Sequence, residues 1–288
     1  MPRTTVRLRV FAAGCLVALA GLTACASDDP ATAPLRLGLP PGEASPEFQE
    51  RFAPVEQLIE EATGREVEVT TTSDYLAIVE AMRSDLIDLA VFSPFPTPIA
   101  EQVADVEPLV AGNTEVYNSV IVCRTDSGIT DVQDIGGRTV AFVDAGSTSG
   151  NYIPKLLLKR AGIDPDTGVE GTYAGGHDVA LLAAAQGSAD CAATAGMQFE
   201  QAVAEGAVEP DVVQVVAESE PIPISLIVIA RDGLDPAVKQ SVTDAFLDAP
   251  QAVLDAGSVT GFQTAEPEDF DLFREAAREL GVDLEDVE

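Results

Sequence analysis

The sequence predicts an α/β protein with two lobes, each a largely parallel sheet with flanking helices, joined by two hinge strands. Three observations lead to this prediction. Short β-rich runs alternate with helical patterns over residues 35–92, an order typical of a parallel sheet covered by helices. A second series of the same kind begins at residue 139. Residues 222–230 then form an apolar run long enough to cross back between the lobes.

The first lobe begins with a strand over residues 35–39, followed by a helix over 54–62 that has one apolar face and ends at Gly64. Ser73 is the expected N-cap of the next helix, whose apolar face includes Tyr75. The other strands of this lobe are predicted at residues 66–70 and 86–92.

The later elements follow from apolar spacing and from glycine or proline at element ends. Strands are predicted at residues 116–123, 139–143, 190–194, 211–217 and 222–230. Helices are predicted at residues 151–161, 178–186, 197–204, 236–247 and 268–280. We expect the chain to cross between lobes near Val120 and Leu226. Lobe 1 then comprises residues 35–119, lobe 2 comprises 120–222, and residues 223–288 complete lobe 1 with the C-terminal helices.

The composition allows sizeable cores and excludes several classes of function. The chain has 288 residues, of which 46% are hydrophobic, so disorder and small disulfide scaffolds are excluded. Asp and Glu number 48 against 16 Lys and Arg, which gives a formal net charge of −32. This charge repels polyanions, so nucleic acid is not an expected partner. There is one His and no CxxC spacing, so neither a metal site nor a cofactor is predicted.

The beginning of the chain is typical of an export signal. Three arginines precede the apolar run 10–22, which is too short for a stable membrane span. Residues 22–25 read Leu-Thr-Ala-Cys and resemble a bacterial lipobox, in which the cysteine becomes lipidated. We therefore expect a signal peptide over 1–24, a lipid on Cys25 and a polar tether over 25–34. The protein is then exported and anchored at the extracytoplasmic face of the cell membrane; an ordinary signal peptide with an incidental cysteine is the alternative.

Two further cysteines, Cys123 and Cys191, remain in the exported chain, and both lie in apolar strand-like segments. In an oxidising compartment they are able to form a disulfide. A pair of buried free thiols is the alternative, because a free cysteine behaves as a small hydrophobic residue.

Residues 141–151 are the most informative segment, because a buried-looking strand leads through a small polar turn into a helix. Gly146 and Gly150 allow close backbone approach. The turn carries three hydroxyl groups, on Ser147, Thr148 and Ser149, beside the free amides of the first helical turn. These groups make an anion site that needs no Lys or Arg. The alternative is an N-cap rich in hydroxyl groups, since Ser and Thr commonly cap helices.

His177 and Tyr75 are two further candidates for the same site. His177 follows two glycines and opens a helix, from where its ring is able to donate to an anionic oxygen. A surface or capping histidine is the alternative. The Tyr75 hydroxyl points into a cleft between the lobes if the side chain leaves the apolar face, and into the core if it does not. Tyr117, on the expected crossing strand, has the same two interpretations.

Taken together, these residues resemble the solute-binding proteins of phosphate, phosphite and phosphonate ABC transporters. The resemblance covers residues 35–255, and its specific part is Ser-Thr-Ser-Gly after a strand with a later Gly-His. The other matching pieces are residues 73–75, 80–82, 87–94, 117–119, 127–129, 134–136 and 187–193.

The resemblance implies a two-lobed periplasmic-binding-protein-like fold that closes around a tetrahedral phosphorus oxyanion and performs no chemistry on it. The implied ligand contacts are Tyr75, Ser147, Thr148, Ser149 and His177. The implied partner is the permease of an ABC importer, and a monomer is expected. The family often has a tyrosine after its third strand where this chain has Thr97, so Thr97 is the expected donor there.

Three alternatives stay open at this point. An aminoalkylphosphonate needs acidic groups in lobe 2, where the chain offers Gln198 and Glu200. A two-lobed binder of another solute (a sulfonate, a thiamine precursor or an amino acid) has the same architecture, although Arg36, Arg83 and Arg138 are not expected in the cleft. A serine hydrolase would use a hydroxyl of residues 147–149 with the single histidine as base, but no Gly-x-Ser-x-Gly motif is present.

Overall fold

A computed structural model describes residues 32–39, 46–72, 74–114 and 117–285, with side chains omitted at 46–49. The predicted signal peptide, Cys25 and Ser73 lie outside these residues. From Pro34 onward the chain forms one compact unit. Within the described residues, no helix is both long enough and apolar enough to cross a membrane.

Strands and helices alternate as the sequence predicts. The strands are β1 Leu35–Leu39, β2 Val67–Thr71, β3 Leu89–Phe92, β4 Val106–Asn113, β5 Ser119–Arg124, β6 Thr139–Phe142, β7 Glu170–Tyr173, β8 Cys191–Ala195, β9 Val213–Glu218, β10 Ile224–Arg231 and β11 Gly261–Thr264. The helices are α1 Pro46–Thr63, α2 Tyr75–Arg83, α3 Pro96–Val103, α4 Ile153–Arg160, α5 His177–Ala185, α6 Gly196–Ala204, α7 Pro236–Leu247, α8 Gln251–Gly257 and α9 Asp271–Leu280.

The strands form two sheets, in the orders β11-β4-β10-β3-β1-β2 and β7-β6-β8-β5-β9. We call the first sheet with its helices lobe 1 and the second sheet with its helices lobe 2. The prediction of a two-lobed α/β fold is confirmed, but the sheets are mixed rather than largely parallel. Only β1 with β2 and β3, and β6 with β7 and β8, pair in parallel among the described strands. The strands next to the lobe crossings enter from the opposite end of each sheet and therefore pair antiparallel.

The chain crosses between the sheets twice, from β4 to β5 and from β9 to β10. The expected crossing positions, Val120 and Leu226, lie in the strands just after these crossings. Hydrogen bonds join the two crossings side by side: Ser119 N donates to Ser219 Oγ at 2.9 Å, and Ile222 N donates to Tyr117 O at 2.7 Å. Such paired connections are the usual place for a hinge. The limits 35–119, 120–222 and 223–288 remain a prediction.

Several elements were not predicted, because their sequences lack the periodic signal. All four residues of β7 are exposed, so it shows no alternation of apolar and polar residues. The segment of α3 contains two prolines, Pro96 and Pro98, which usually mark a turn. The helix predicted to start at Pro54 begins at Pro46 instead and continues through Pro54. Proline favours the first turn of a helix, which is why the prediction placed the start there. The elements β4, α8 and β11 were also missed.

Apolar clusters cover both faces of both sheets. One cluster joins α1, α7 and α8 to the first sheet, and another packs α2, α3 and α9 against its other face. The C-terminal helix α9 contacts both lobes, because Arg274 pairs with Glu101 of α3 at 2.8 Å and Glu279 pairs with Arg160 of α4 at 2.7 Å.

The second sheet carries a covalent bond between neighbouring strands. Cys123 and Cys191 are directly opposite each other on β5 and β8. Their sulfur atoms form a disulfide. Of the two alternatives left open for these cysteines, the structure has the disulfide.

Candidate functional site

A cavity of about 110 Å³ lies between the lobes, at the carboxyl ends of β3, β6 and β8. Ligands of open α/β sheets bind at this edge. The polar residues that line the cavity come from both lobes. Those of lobe 1 are Arg51, Tyr75, Ser93, Ser225 and Ser258. Those of lobe 2 are Ser147, Ser149, His177 and Gln198, and Tyr117 lies at the crossing. The structure therefore brings together four of the predicted residues: Tyr75, Ser147, Ser149 and His177.

The serine-rich turn follows β6, as predicted, but the helix starts differently. Residues Thr148–Tyr152 form a π-helical turn before α4 begins at Ile153. Ser147 is the N-cap of this turn, and its Oγ accepts a hydrogen bond from Gly150 N at 3.1 Å. Because this bond uses only a lone pair, the hydroxyl proton of Ser147 stays available to the cavity. Ser147 thus fits both interpretations, cap and ligand donor.

Two glycines allow the turn to pack closely. A Cβ at Gly146 would lie 2.6 Å from the Cβ of Tyr75, so α2 of lobe 1 rests directly on the backbone of lobe 2 there. A Cβ at Gly150 would overlap the Val143 side chain. Both positions thus require glycine for close approach.

Thr148 does not line the cavity, contrary to the expectation. It is fully buried, and its Oγ1 lies 2.5 Å from Ser93 Oγ and accepts a hydrogen bond from Phe95 N at 2.8 Å. The Thr148 amide in turn donates to Ser93 Oγ at 3.2 Å. These bonds join the turn of lobe 2 to the residues that follow β3 in lobe 1. Thr148 is therefore placed as an interlobe contact rather than as a cavity donor.

Thr97 is also outside the cavity lining. Its side chain is fully buried, and its hydroxyl donates to Ser93 O at 3.2 Å. The reason is that residue 97 lies inside the first turn of α3, where a threonine hydroxyl bonds the carbonyl four residues earlier. The prediction of Thr97 as a ligand donor is corrected accordingly.

The amides of the turn have partners within the protein. Burial raises the pKa of Tyr117 to about 12, and hydrogen bonding of its hydroxyl to the Ser149 side chain and amide opposes this shift. Ser119 Oγ donates to Ser149 O at 2.7 Å. Since Thr148 N and Gly150 N donate to Ser93 and Ser147 as described, these amides do not point freely into the cavity. Hydroxyl groups line this part of the wall instead.

His177 lies at the lobe 2 wall of the cavity. Its Nδ1 is 2.8 Å from Thr194 Oγ1 and accepts a longer hydrogen bond from Ala195 N at 3.4 Å. Because an amide only donates, Nδ1 is the acceptor and we assign the ring proton to Nε2. Burial lowers the pKa of His177 to about 4; the Asp178 carboxylate opposes this shift and the Arg51 guanidinium adds to it. His177 is therefore neutral at pH 7 and offers one N–H.

A buried carboxylate, that of Asp144, accepts hydrogen bonds from backbone amides of the turn. The Oδ1 of Asp144, which is 4% exposed, accepts a hydrogen bond from Gly146 N at 2.8 Å. Burial raises the pKa of Asp144 to about 6 and the Asp74 carboxylate adds to this, while hydrogen bonds from the Gly146, Tyr75 and Ser147 amides oppose it. Since Tyr75 belongs to lobe 1, Asp144 is a second contact between the lobes.

The chain also matches a known family. A family model for the "ABC transporter, phosphonate, periplasmic substrate-binding protein" matches residues 37–270, which is most of the chain. The chain belongs to this phosphonate-binding family. The resemblance stated from the sequence is thus confirmed, and the family is one of substrate-binding transport proteins rather than of enzymes.

A curated relative agrees with this membership, and solved structures agree with the fold. The phosphate-import protein PhnD of Mycolicibacterium smegmatis is 32% identical over 254 residues, which are 79% of this chain and 77% of the relative. A binding protein component of a phosphonate ABC transporter from Pseudomonas aeruginosa has a TM-score of 0.77 at 22% identity, with 87% of each chain covered. PhnD1 from Prochlorococcus marinus in complex with methylphosphonate has a TM-score of 0.75 at 17% identity, covering 88% and 100% of the two chains. The two structures support the fold alone.

Sequence reasoning missed several cavity residues of this phosphonate-binding family member. Arg51, Ser93 and Ser225 line the cavity but were not predicted, because no local motif marks them. Ser225 Oγ is buried and has no hydrogen-bond partner among the described residues. Of the residues considered for an amino group, Gln198 lines this cavity, and Glu200 is not part of its lining.

The described residues were also searched for a metal centre. Among them, no group of His, Cys, Asp and Glu is placed to hold a metal ion.

Two of the arginines that were not expected in the cleft form ion pairs elsewhere. Arg36 pairs with Asp88 at 2.8 Å, and Arg83 pairs with Glu80 at 2.6 Å. None of the three arginines weighed from the sequence (Arg36, Arg83 and Arg138) belongs to the described lining of the cavity.

Proposed function

We propose that the chain captures a phosphorus oxyanion (a phosphonate, phosphite or phosphate) in the cavity between its lobes and delivers it to the permease of an ABC importer. The observation that carries this proposal is the convergence of Ser147, Ser149, Tyr75 and His177 on one small cavity. All four present neutral donors, and charge-assisted hydrogen bonds to an oxyanion are stronger than bonds between neutral groups. A chain with a net charge of −32 needs such local donors, because its overall field repels anions.

Capture uses closure of the lobes about the paired crossings. The contacts of Thr148 with Ser93 and of Gly146 with Tyr75 lie beside the cavity and join the two lobes. They favour the closed arrangement in which donors from both lobes face the same ligand. Opening about the crossings separates these contacts and gives the ligand a path in and out.

The geometry favours binding over catalysis. A serine nucleophile is activated by a histidine that a third group orients. Here His177 Nδ1 faces the Thr194 hydroxyl instead of a carboxylate, and Ser147 Oγ accepts the cap bond from Gly150. We therefore propose a binding protein and not the serine hydrolase considered from the sequence.

We further propose that the mature protein acts as a monomer held at the outer face of the membrane by a lipid on Cys25. The family description as periplasmic supports an extracytoplasmic location. The lipobox-like sequence at residues 22–25 supports the anchor.

Calorimetry of residues 26–288, which are the exported chain without its lipidated Cys25, tests the proposal. We expect heat of binding with phosphate, phosphite or methylphosphonate, and an affinity loss of about 1–3 kcal/mol in Ser149→Ala. The control is Ser241→Ala, since the Ser241 hydroxyl on α7 bonds only the Ala237 carbonyl of its own helix in the described structure. Binding of a sulfonate or an amino acid with no response to any phosphorus oxyanion would replace the proposal by the corresponding alternative.

A further inference from the structure

Ser225 lines the lobe 1 wall of the cavity from β10, just after the second crossing between the lobes. β10 is antiparallel to β3, and their pairing ends with Ile227 opposite Phe92. Ser225 therefore extends beyond the carboxyl end of β3, at the edge of the sheet where ligands of open α/β sheets bind.

An irregularity in the pairing of β10 with β4 sets Ser225 apart from its neighbours. Ile224 and Leu226 are opposite consecutive residues of β4, so Ser225 is an extra residue between them. Ile224 and Ile227 pack in the same apolar cluster although they are three residues apart, so the usual alternation of a strand is interrupted here. Such bulges re-aim a side chain and are frequent next to active sites.

The hydroxyl of Ser225 has no hydrogen-bond partner among the described residues, and its Oγ is shielded from solvent. A buried hydroxyl without a partner is costly, and nearly all such groups are bonded to protein or to another molecule. The side chain has a single torsion with three staggered positions, so the hydroxyl is able to turn toward a molecule in the cavity that Ser225 lines. A ligand in the cavity thus supplies the partner that the described protein does not.

The phosphorus oxyanions of the proposed function differ at one position, the fourth substituent on phosphorus. The dianions of phosphate, phosphite and methylphosphonate share three charged oxygens, and the fourth substituent is a hydroxyl, a hydrogen or a methyl group respectively. Charged oxygens need donors, which Ser147, Ser149 and His177 supply in the proposed function. A P–OH group is itself a donor and needs an acceptor. A serine oxygen accepts without the repulsion that a carboxylate adds, and no Asp or Glu belongs to the lining among the described residues.

We propose that Ser225 is a specificity-determining residue that accepts a hydrogen bond from the P–OH group and so selects phosphate over phosphite and methylphosphonate. This inference rests on the proposed function. A site with a buried polar group rejects an analogue that lacks the matching group, because the polar group then stays unpaired. A hydrogen or a methyl group at the fourth position of the ligand leaves Ser225 in that state.

Calorimetry at about pH 9 compares the three ligands as dianions, because that pH lies above their second ionisation. We expect wild type to bind phosphate at least about fivefold more tightly than the other two. Ser225→Ala should lose at least about fivefold for phosphate, because the P–OH group loses its acceptor, and less than about twofold for phosphite and methylphosphonate. Ligand-free Ser225→Ala should melt at the wild-type temperature, because the change removes no hydrogen bond within the described protein.

The control is Ser241→Ala, which removes a hydroxyl of α7 outside the cavity lining and should leave all three affinities unchanged. An unchanged phosphate affinity in Ser225→Ala, an equal loss for all three ligands, or a wild type without a preference for phosphate overturns the inference while the proposed function stands. A lower melting temperature of the ligand-free variant reveals a partner within the protein and also overturns the inference. Absence of binding of all three ligands by wild type overturns the proposed function itself.

Discussion

Ser147 caps a helical turn and is proposed to bind the ligand, and a pair of substitutions separates the two roles. Its Oγ accepts the cap bond from Gly150 N at 3.1 Å, and the residue also lines the cavity. Ser147→Ala removes both the cap and the donor, whereas Ser147→Gly removes the hydroxyl but keeps most of the capping preference. The φ of −66° at Ser147 is ordinary for any residue, so neither change strains the backbone.

The expected magnitudes follow from these contacts. Loss of an N-cap to alanine costs about 1 kcal/mol of unfolding free energy, and glycine costs only a few tenths. A hydroxyl that bonds a charged ligand contributes roughly 1.5–3 kcal/mol to binding, or about 10- to 100-fold in affinity. We therefore expect Ser147→Ala to lose stability and affinity, and Ser147→Gly to lose affinity with nearly wild-type stability.

The assay is urea denaturation for stability together with calorimetry of phosphate or methylphosphonate binding. Asp235→Ala is the matched control, because Asp235 caps α7 through a bond from Ala237 N at 2.8 Å and is not in the cavity lining. It should lose about 1 kcal/mol of stability without changing affinity. Wild-type affinity in Ser147→Gly would refute the binding role and leave Ser147 as a cap alone.

Three further predictions follow from the structure. Burial raises the pKa of Asp144 from 3.8 to about 6, so the stability that its protonated form gives is fully present below about pH 3.8 and is lost as pH rises through about 6. The stability of wild type relative to Asp144→Asn should therefore fall by about 2 kcal/mol between pH 4 and pH 7, and a difference independent of pH in urea titrations would contradict it. Removal of the disulfide by Cys123→Ala with Cys191→Ala should cost roughly 2–4 kcal/mol, because the bond closes a loop of 68 residues; thermal melting with and without reductant measures this, and an unchanged midpoint would count against it. Cys25→Ser should release the protein from membranes into the soluble fraction on cell fractionation, and continued membrane association would argue against the lipid anchor.

Part of the candidate site was predictable from local sequence patterns. Gly146, Ser147 and Gly150 were predicted from a strand, a small polar turn and a following helix, and all the groups that define this pattern lie within about ten residues. The lining role of Ser149 and His177 followed from the family resemblance as well. Local chemistry of this kind is visible in a sequence because short-range geometry limits where such residues are able to point.

The distribution of hydroxyl groups was not predictable in the same way. Thr148 is next to Ser147 in sequence, but its hydroxyl bonds Ser93 and Phe95, which are more than fifty residues away. Thr97 bonds the Ser93 carbonyl, because α3 begins where no helix was predicted. Which of several adjacent hydroxyls faces a cavity depends on the partners that the other lobe brings to it.

By itself, the sequence determined the two-lobed α/β class, the family and the turn that carries the central hydroxyls, because these depend on periodicity and on residues close together along the chain. Only the tertiary structure decided that the sheets are mixed, that Cys123 meets Cys191, and that Arg51 and Ser225 join the cavity. The physical reason is that a side chain's function is set by what packs against it. In this chain those contacts come from segments that lie far apart in the sequence, and no local periodic pattern connects such segments.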